Sequence, residues 1–338
     1  MQKVVGSNPI SRFSCSSACD TSRWFVRVLL VNVFEGNSSA IKVSSALLAA
    51  LVTAFALSSC GSSDSADNSI AVSAYPGVQT DQSVADLVPA KYKGEDLTAA
   101  STLGLPPMEF IDGTTAAGDE RLTGADIDLS RAMASTMGLK IVFEDVPFEQ
   151  LLSGVKAGTY DLAVSSITDN KEREAEVDFV TYFMAGSRFY GPTTSTPVER
   201  ISQACGKTAS VVRGTIYDEL FADQASKCPK GRALRIRYPS NQDGIDRELI
   251  NGDADVTASD TPIASWAVRN SGGKLREWGK PFGEEPYGIA VAKGSGLARP
   301  IRAALTRLIA DGTYSAILER WGLQSGAISD PEIDGAVR

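Results

Sequence analysis

The stretch Tyr160-Asp-Leu-Ala-Val-Ser-Ser-Ile-Thr-Asp-Asn-Lys-Glu-Arg173, followed by Val177-Asp178-Phe179, decides how this 338-residue chain reads. Leu162–Ser165 is a short apolar run bounded by polar residues, which predicts a buried strand. It delivers Ser165, Ser166 and Thr168 to its carboxyl end. Hydroxyls and main-chain N–H groups there can hold an anionic group. Arg173 adds a planar, permanently charged fork suited to gripping a carboxylate in two places. Read alone, the same residues also fit a solvated helix start with Ser and Thr caps.

Outward from this stretch, strands and helices alternate. Leu97–Ser101 and Ile141–Phe143 read as strands, and Leu129–Met137 as a helix stopped at Gly138. Phe148–Lys156 reads as a helix ending near Gly158. A second cycle follows: strands at Thr208–Val212, Leu234–Arg237 and Ala254–Ala258, with helices at Tyr217–Ala225, Gln242–Asn251 and Pro262–Asn270. Gly288–Val291 closes as a strand before helices around Arg299–Ala310 and Thr313–Trp321. This alternation predicts two α/β lobes, with ligands expected at the carboxyl ends of the strands. Two such edges facing each other make a closable cleft.

Composition narrows the chemistry. Apolar residues make up 43% and charged residues 22% of the chain, the balance of a soluble globular protein. A net charge of −8 argues against a nucleic-acid partner. The chain contains no histidine, which excludes Ser-His-Asp and Cys-His catalysis and imidazole metal ligation. Its cysteines (Cys15, Cys19, Cys60, Cys205 and Cys228) match no four-ligand zinc spacing. Neither a metal nor another cofactor is expected.

No charged residue occurs from Val43 to Ser63, and Val43–Leu57 is an apolar run of signal-peptide length. It ends in Leu57-Ser-Ser-Cys60-Gly, which resembles the bacterial lipoprotein cleavage site. The resemblance implies a lipidated Cys60 at the start of the mature chain. Residues 1–59 are then a signal or propeptide region. Residues 1–40 precede the apolar run so far that the true start is expected downstream, near Val31–Val33. Removing 1–59 leaves 28 basic and 39 acidic residues, net −11. Residues 60–90 are Ser-, Asp- and Ala-rich and read as a lipidated flexible tether.

The motifs from about residue 95 to 325 resemble the solute-binding proteins of polar amino-acid ABC importers. That family has the type II periplasmic-binding-protein fold, an α/β fold of two lobes joined by a two-strand hinge with the ligand cleft between them. The Ser-x-Thr segment before Arg173 carries the resemblance, together with Leu105-Pro-Pro-Met-Glu-Phe110, Gly124-Ala-Asp-Ile-Asp128, Arg213-Gly214-Thr215, Gly252-Asp-Ala-Asp255 with Asp260, and Tyr287-Gly288-Ile-Ala-Val. It implies that Arg173, helped by Ser166 and Thr168, holds a ligand α-carboxylate, and that Asp260 takes the α-amino group. Asp260 before Thr261-Pro262 also reads as a helix cap. Gly214 and Thr215 would form the second lobe's ligand loop. Leu105 stands where an aromatic often stacks on the ligand, and Thr102 where basic-ligand members carry an acid. Arg213 could meet an acidic side chain or lie on the surface.

The implied boundaries are 91–190 plus 287–325 for lobe 1, 191–286 for lobe 2 and 326–338 for a tail. The implied function is that of an extracytoplasmic, lipid-anchored receptor on the outer face of the cytoplasmic membrane. It binds a polar or acidic L-amino acid, passes it to the membrane subunits of an ABC permease, acts as a monomer and is not an enzyme. Two alternatives stay open: a dehydratase-like enzyme on the same fold, using Glu284 or Glu285, and an amino-acid sensor. Cys205 and Cys228, exported in one lobe, are expected to pair as a disulfide.

Overall fold

The computed structural model describes residues 69–114 and 120–337. The expected signal region, the start near Val31–Val33 and Cys60 lie outside them. The described residues all fall within one compact unit.

The first lobe is built on a mixed sheet. Its strands are β1 (Ile70–Ala71), β2 (Asp96–Ser101), β5 (Lys140–Asp145) and β6 (Leu162–Ala163), and its order begins β1-β5-β2-β6. β2 runs parallel to β5 and β6. Helices α1 (Gln82–Ala85), α2 (Ala125–Thr136) and α3 (Leu151–Ala157) accompany it, with the hairpin β3 (Phe110–Thr114) and β4 (Glu120–Thr123). Gly138 and Gly158 follow α2 and α3 with positive φ, as helix stops at those positions should. α2 is buried along nearly its whole length, because the C-terminal helices α8 (Ala298–Ala310) and α9 (Thr313–Trp321) cover its outer side.

Two strands run through both lobes. β7 (Asp178–Pro192) and β11 (Leu275–Val291) pair antiparallel from Val291↔Asp178 to Leu275↔Pro192. The ladder shifts register between Trp278 and Phe282 and between Phe282 and Glu285. These irregularities sit where the chain passes from one lobe to the other. Lobe 2 adds β10 (Thr257–Asp260) on β7, and the parallel pair β8 (Thr208–Ser210) and β9 (Arg235–Arg237). Helices α5 (Ile216–Lys227), α6 (Gln242–Asn251) and α7 (Thr261–Asn270) pack on it. Each lobe has its own apolar clusters: one gathers Phe143, Met133 and Leu305, another Phe221, Trp278 and Val256. Each such buried side chain contributes roughly 1.5–3 kcal/mol. Cys205 and Cys228 form a disulfide with a Cα–Cα distance of 5.5 Å, tying the end of α5 to the segment before β8.

Two boundary expectations need correction. The tether does not extend to residue 90. Residues 69–90 pack on lobe 1, where β1 pairs with β5, Asp81 caps α1, and Val84 and Val88 are buried in the core. Two apolar side chains placed on one turn and its exit are enough to dock a segment whose composition is otherwise polar. Residues 326–337 are likewise no loose tail. The Thr181 N–H donates to the Glu332 carbonyl at 2.9 Å, and the Phe179 N–H donates to Asp334 Oδ1 at 2.9 Å. The segment pairs with Phe179–Thr181, on the stretch of β7 that β10 leaves unpaired, and so shortens an open strand edge. Among the described residues no helix is long and apolar enough to cross a membrane.

Candidate functional site

A cleft between the lobes collects most of the residues singled out from sequence. Leu105, Ser166, Thr168 and Arg173 line it from lobe 1, and Thr215 and Asp260 from lobe 2. Thr102 also lines it. Gly214 stands just outside, but its carbonyl accepts a hydrogen bond from Arg173 Nη2 at 3.0 Å. Arg213 does not reach the cleft: it is exposed, and its guanidinium stacks on the Tyr238 ring at 3.8 Å. Glu284 and Glu285 lie on β11 and do not line this cleft.

The lobe 1 half presents a positive charge beside hydroxyl groups. Arg173 stands on the short helix α4 (Lys171–Glu174), capped by the Asn170 side chain. Its Nη1 donates to the Thr168 carbonyl at 2.9 Å, and its guanidinium carbon lies 5.7 Å from the Phe148 ring centroid. Among the described residues no carboxylate lies within ion-pair distance of it. Burial lowers its pKa, and the charges of Glu219 and Asp260 resist that shift. A half-buried, unpaired guanidinium held by two carbonyls is poised for an anion.

Ser165 and Ser166 are held from beneath. Ser166 adopts φ +48°, a left-handed conformation costing about 1–2 kcal/mol for a non-glycine residue. Its N–H donates to Asp126 Oδ2 at 2.9 Å, and Tyr182 donates to the same oxygen at 2.8 Å. The Ser165 hydroxyl donates to Glu109 Oε1 at 2.7 Å. Glu109 and Asp126 are fully buried. Burial, then the Asp126 charge, pushes the Glu109 carboxyl well above the usual range, and burial raises Asp126. Gly124 makes this pairing possible. It has φ +131°, and a Cβ there would stand 2.0 Å from the Met108 carbonyl oxygen. Only glycine lets α2 start so close to the turn that carries Glu109.

The lobe 2 half presents the opposite charge. Asp260 ends β10 and precedes α7, but its side chain makes no cap hydrogen bond. The carboxylate faces the cleft instead, where Tyr217 Oη donates to Oδ1 at 2.7 Å. Tyr217 Oη also lies 2.9 Å from Ser187 Oγ. Burial raises the Asp260 pKa to about 6, and the Tyr217 and Tyr287 hydroxyls and the Arg173 charge oppose it only in part. Thr215 caps α5 by accepting from the Asp218 N–H, so its role in the cleft is also structural. The two halves touch at several points. Asn241 reaches Gly104, Glu149 reaches Gly214, and Trp266 of α7 stacks near Phe110 at 6.0 Å.

Sequence reading did not find Asn241, Gln242, Tyr217 or Phe148 as lining residues. Asn241 and Gln242 opened a correctly read helix, but nothing local shows which way that helix end points. Glu109 and Asp126 stood inside quoted motifs. Their pairing requires the turn Leu105–Glu109 and the start of α2 to meet, which spacing does not reveal.

Two lobes joined by shared strands, with a cation and an anion facing each other across the gap, define a bilobed receptor for a small dipolar solute. Residues 97–324 match the profile of bacterial extracellular solute-binding proteins, family 3, and the chain belongs to that family. Its fold is that of the type II periplasmic binding proteins. It is similar to the arginine-binding protein ArgT of Corynebacterium glutamicum, 33% identical over 242 residues that cover 70% of this chain and 78% of that one. It is also similar to the glutamine-binding protein GlnH of Bacillus subtilis, 30% identical over 207 residues covering 59% and 72%. Among solved structures, an ancestral arginine-binding protein bound to arginine superposes with a TM-score of 0.61 at 29% identity. That alignment covers 67% of this chain and 97% of the other.

Proposed function

We propose that the chain is the lipid-anchored, extracytoplasmic receptor of an ABC importer, binding a polar L-amino acid and handing it to the permease as a monomer without chemical turnover. The observation that carries this reading is the placement of Arg173 and Asp260 on opposite lobes of one cleft. Arg173, with the Ser166–Thr168 segment, would hold the α-carboxylate, and Asp260 the α-ammonium. A zwitterion touching both lobes binds the closed arrangement better than an open one. That difference in affinity is what drives a hinge. The family and the named relatives support an amino-acid solute. Cys60 would supply the anchor. A single acyl chain holds a protein only marginally, so stable anchoring needs more than one.

The test is a thermal-shift screen of residues 61–338, unfolded and refolded to strip bound solute, against the twenty L-amino acids. A ligand at a hundred times its dissociation constant stabilises by about 2.7 kcal/mol. A shift with one or a few amino acids is expected. No shift with any of them would overturn the amino-acid reading.

A further inference from the structure

The charge pair is spoken for by the ligand's main-chain groups, and what remains of the cleft addresses its side chain. We propose, resting on the receptor reading, that this side chain is uncharged and carries a primary amide, with Asn241 as its hydrogen-bond donor.

The remaining lining holds no ionisable group: apart from tyrosine, Arg173 and Asp260 are the ionisable residues in it. Leu105, Phe148, Val211, Val212 and Ile245 supply apolar walls. Most polar side chains there are already engaged. Thr102 Oγ1 donates to the Val146 carbonyl at 2.7 Å, and Ser165 to Glu109. Gln242 Nε2 donates to Tyr190 and to Asp246, while its Oε1 accepts from Ser259 Oγ at 2.9 Å. Asn241 differs. Its Oδ1 accepts from the Gly244 N–H at 3.1 Å, but among the described residues its Nδ2 has a single long hydrogen-bond contact, 3.5 Å to the Leu103 carbonyl. Its two N–H donors are therefore nearly free for a ligand.

This inventory selects among side chains. A guanidinium or ammonium needs a carboxylate, and the lining offers it none. Asp246 is engaged by Tyr190 and Gln242. Asp243 approaches Gly104 but is exposed and outside the lining. A carboxylate needs a second cation, and Arg213 is stacked away on Tyr238. An amide carbonyl can accept from Asn241, and its N–H can use the free lone pairs of Thr102, leaving no buried charge unpaired. An unpaired buried charge lowers affinity by about thirty-fold or more.

The experiment is calorimetric titration of the refolded chain from residue 61 with glutamine, asparagine, arginine, histidine and glutamate at pH 7.5. Glutamine or asparagine is expected to bind at least about thirty-fold more tightly than arginine or glutamate. Asn241→Asp keeps the Gly244 cap acceptor but removes the donor. It is expected to weaken amide binding at least tenfold and to improve arginine binding. Arginine or glutamate binding as tightly as the amides in the unsubstituted chain would overturn the inference and leave the receptor reading standing. Unchanged amide affinity in Asn241→Asp would overturn the role of Asn241. Heat from none of the five, with no shift across the twenty amino acids, would overturn both readings.

Discussion

Lowering the pH should switch the cleft off through Asp260, and Asn at that position should abolish the switch. Burial raises the Asp260 carboxyl to about 6 in the empty protein, and a ligand ammonium binds only its ionised form. At pH 7.5 nearly every molecule is competent. At pH 5.0 only about one in eleven is, so the dissociation constant should rise about tenfold between the two. Stability runs the other way. A carboxyl with a raised folded-state pKa contributes stability that is present below about pH 4 and lost as pH climbs through about 6. The ionised Asp260 therefore costs the empty protein up to about 3 kcal/mol at pH 7.5. Asp260→Asn keeps an acceptor for Tyr217 and removes the charge. The variant should melt higher than the parent when empty, bind its amino acid at least thirty-fold more weakly, and lose most of the pH dependence. The assays are titration calorimetry from pH 7.5 to 5.0 and thermal melts of ligand-free protein. A parent dissociation constant that stays flat over that range, or an equal pH slope in the Asn variant, would refute the reasoning.

Further outcomes follow from other residues. Arg173→Ala should weaken ligand binding by roughly thirty-fold to several thousand-fold, the cost of leaving a buried carboxylate unpaired. Arg173→Lys should recover part of it, whereas equal affinity in both variants and the parent would remove the carboxylate role. Opening the Cys205–Cys228 link, 23 residues apart in sequence, should destabilise by about 3 kcal/mol and lower the melting temperature measured with and without reductant. Gly124→Ala should destabilise by more than 2 kcal/mol in denaturant melts, because its methyl group meets the Met108 carbonyl in a backbone conformation alanine avoids.

Several helices were legible because their signals are local, whereas Arg173 and Asp260 stood out only through the order and spacing of the family's motifs. Gln242–Asn251 and Thr313–Trp321 run between the same residues in sequence reading and structure. β7 was not legible. Its fifteen residues are almost wholly buried, because it is covered in one lobe and then in the other, so it lacks the alternation that marks a half-exposed strand. Only the last four residues of β11 were read as a strand, since its earlier part carries Gly, Lys, Glu and Pro that break the pattern. Arg213 shows the limit of motif adjacency. It precedes the Gly-Thr loop in sequence, yet the turn aims it outward onto Tyr238. Asp260 shows the opposite case. Its neighbours spell a helix cap, the family resemblance implies a ligand contact, and the fold shows a side chain that leaves its own helix uncapped to face the gap.

At two of the points where the lips of the cleft meet, one partner is a glycine. Gly104 faces Asn241, and Gly214 faces Glu149. A methyl group at either would come within 2.9 Å of the opposing side chain. Neither position leaves room for a side chain, so the lips meet there on bare backbone. A methyl at Gly104 or Gly214 would act as a shim that holds the lips apart, and at Gly104 it would also displace the Asn241 amide. The fit of the lips therefore rests on two residues that carry no side chain at all.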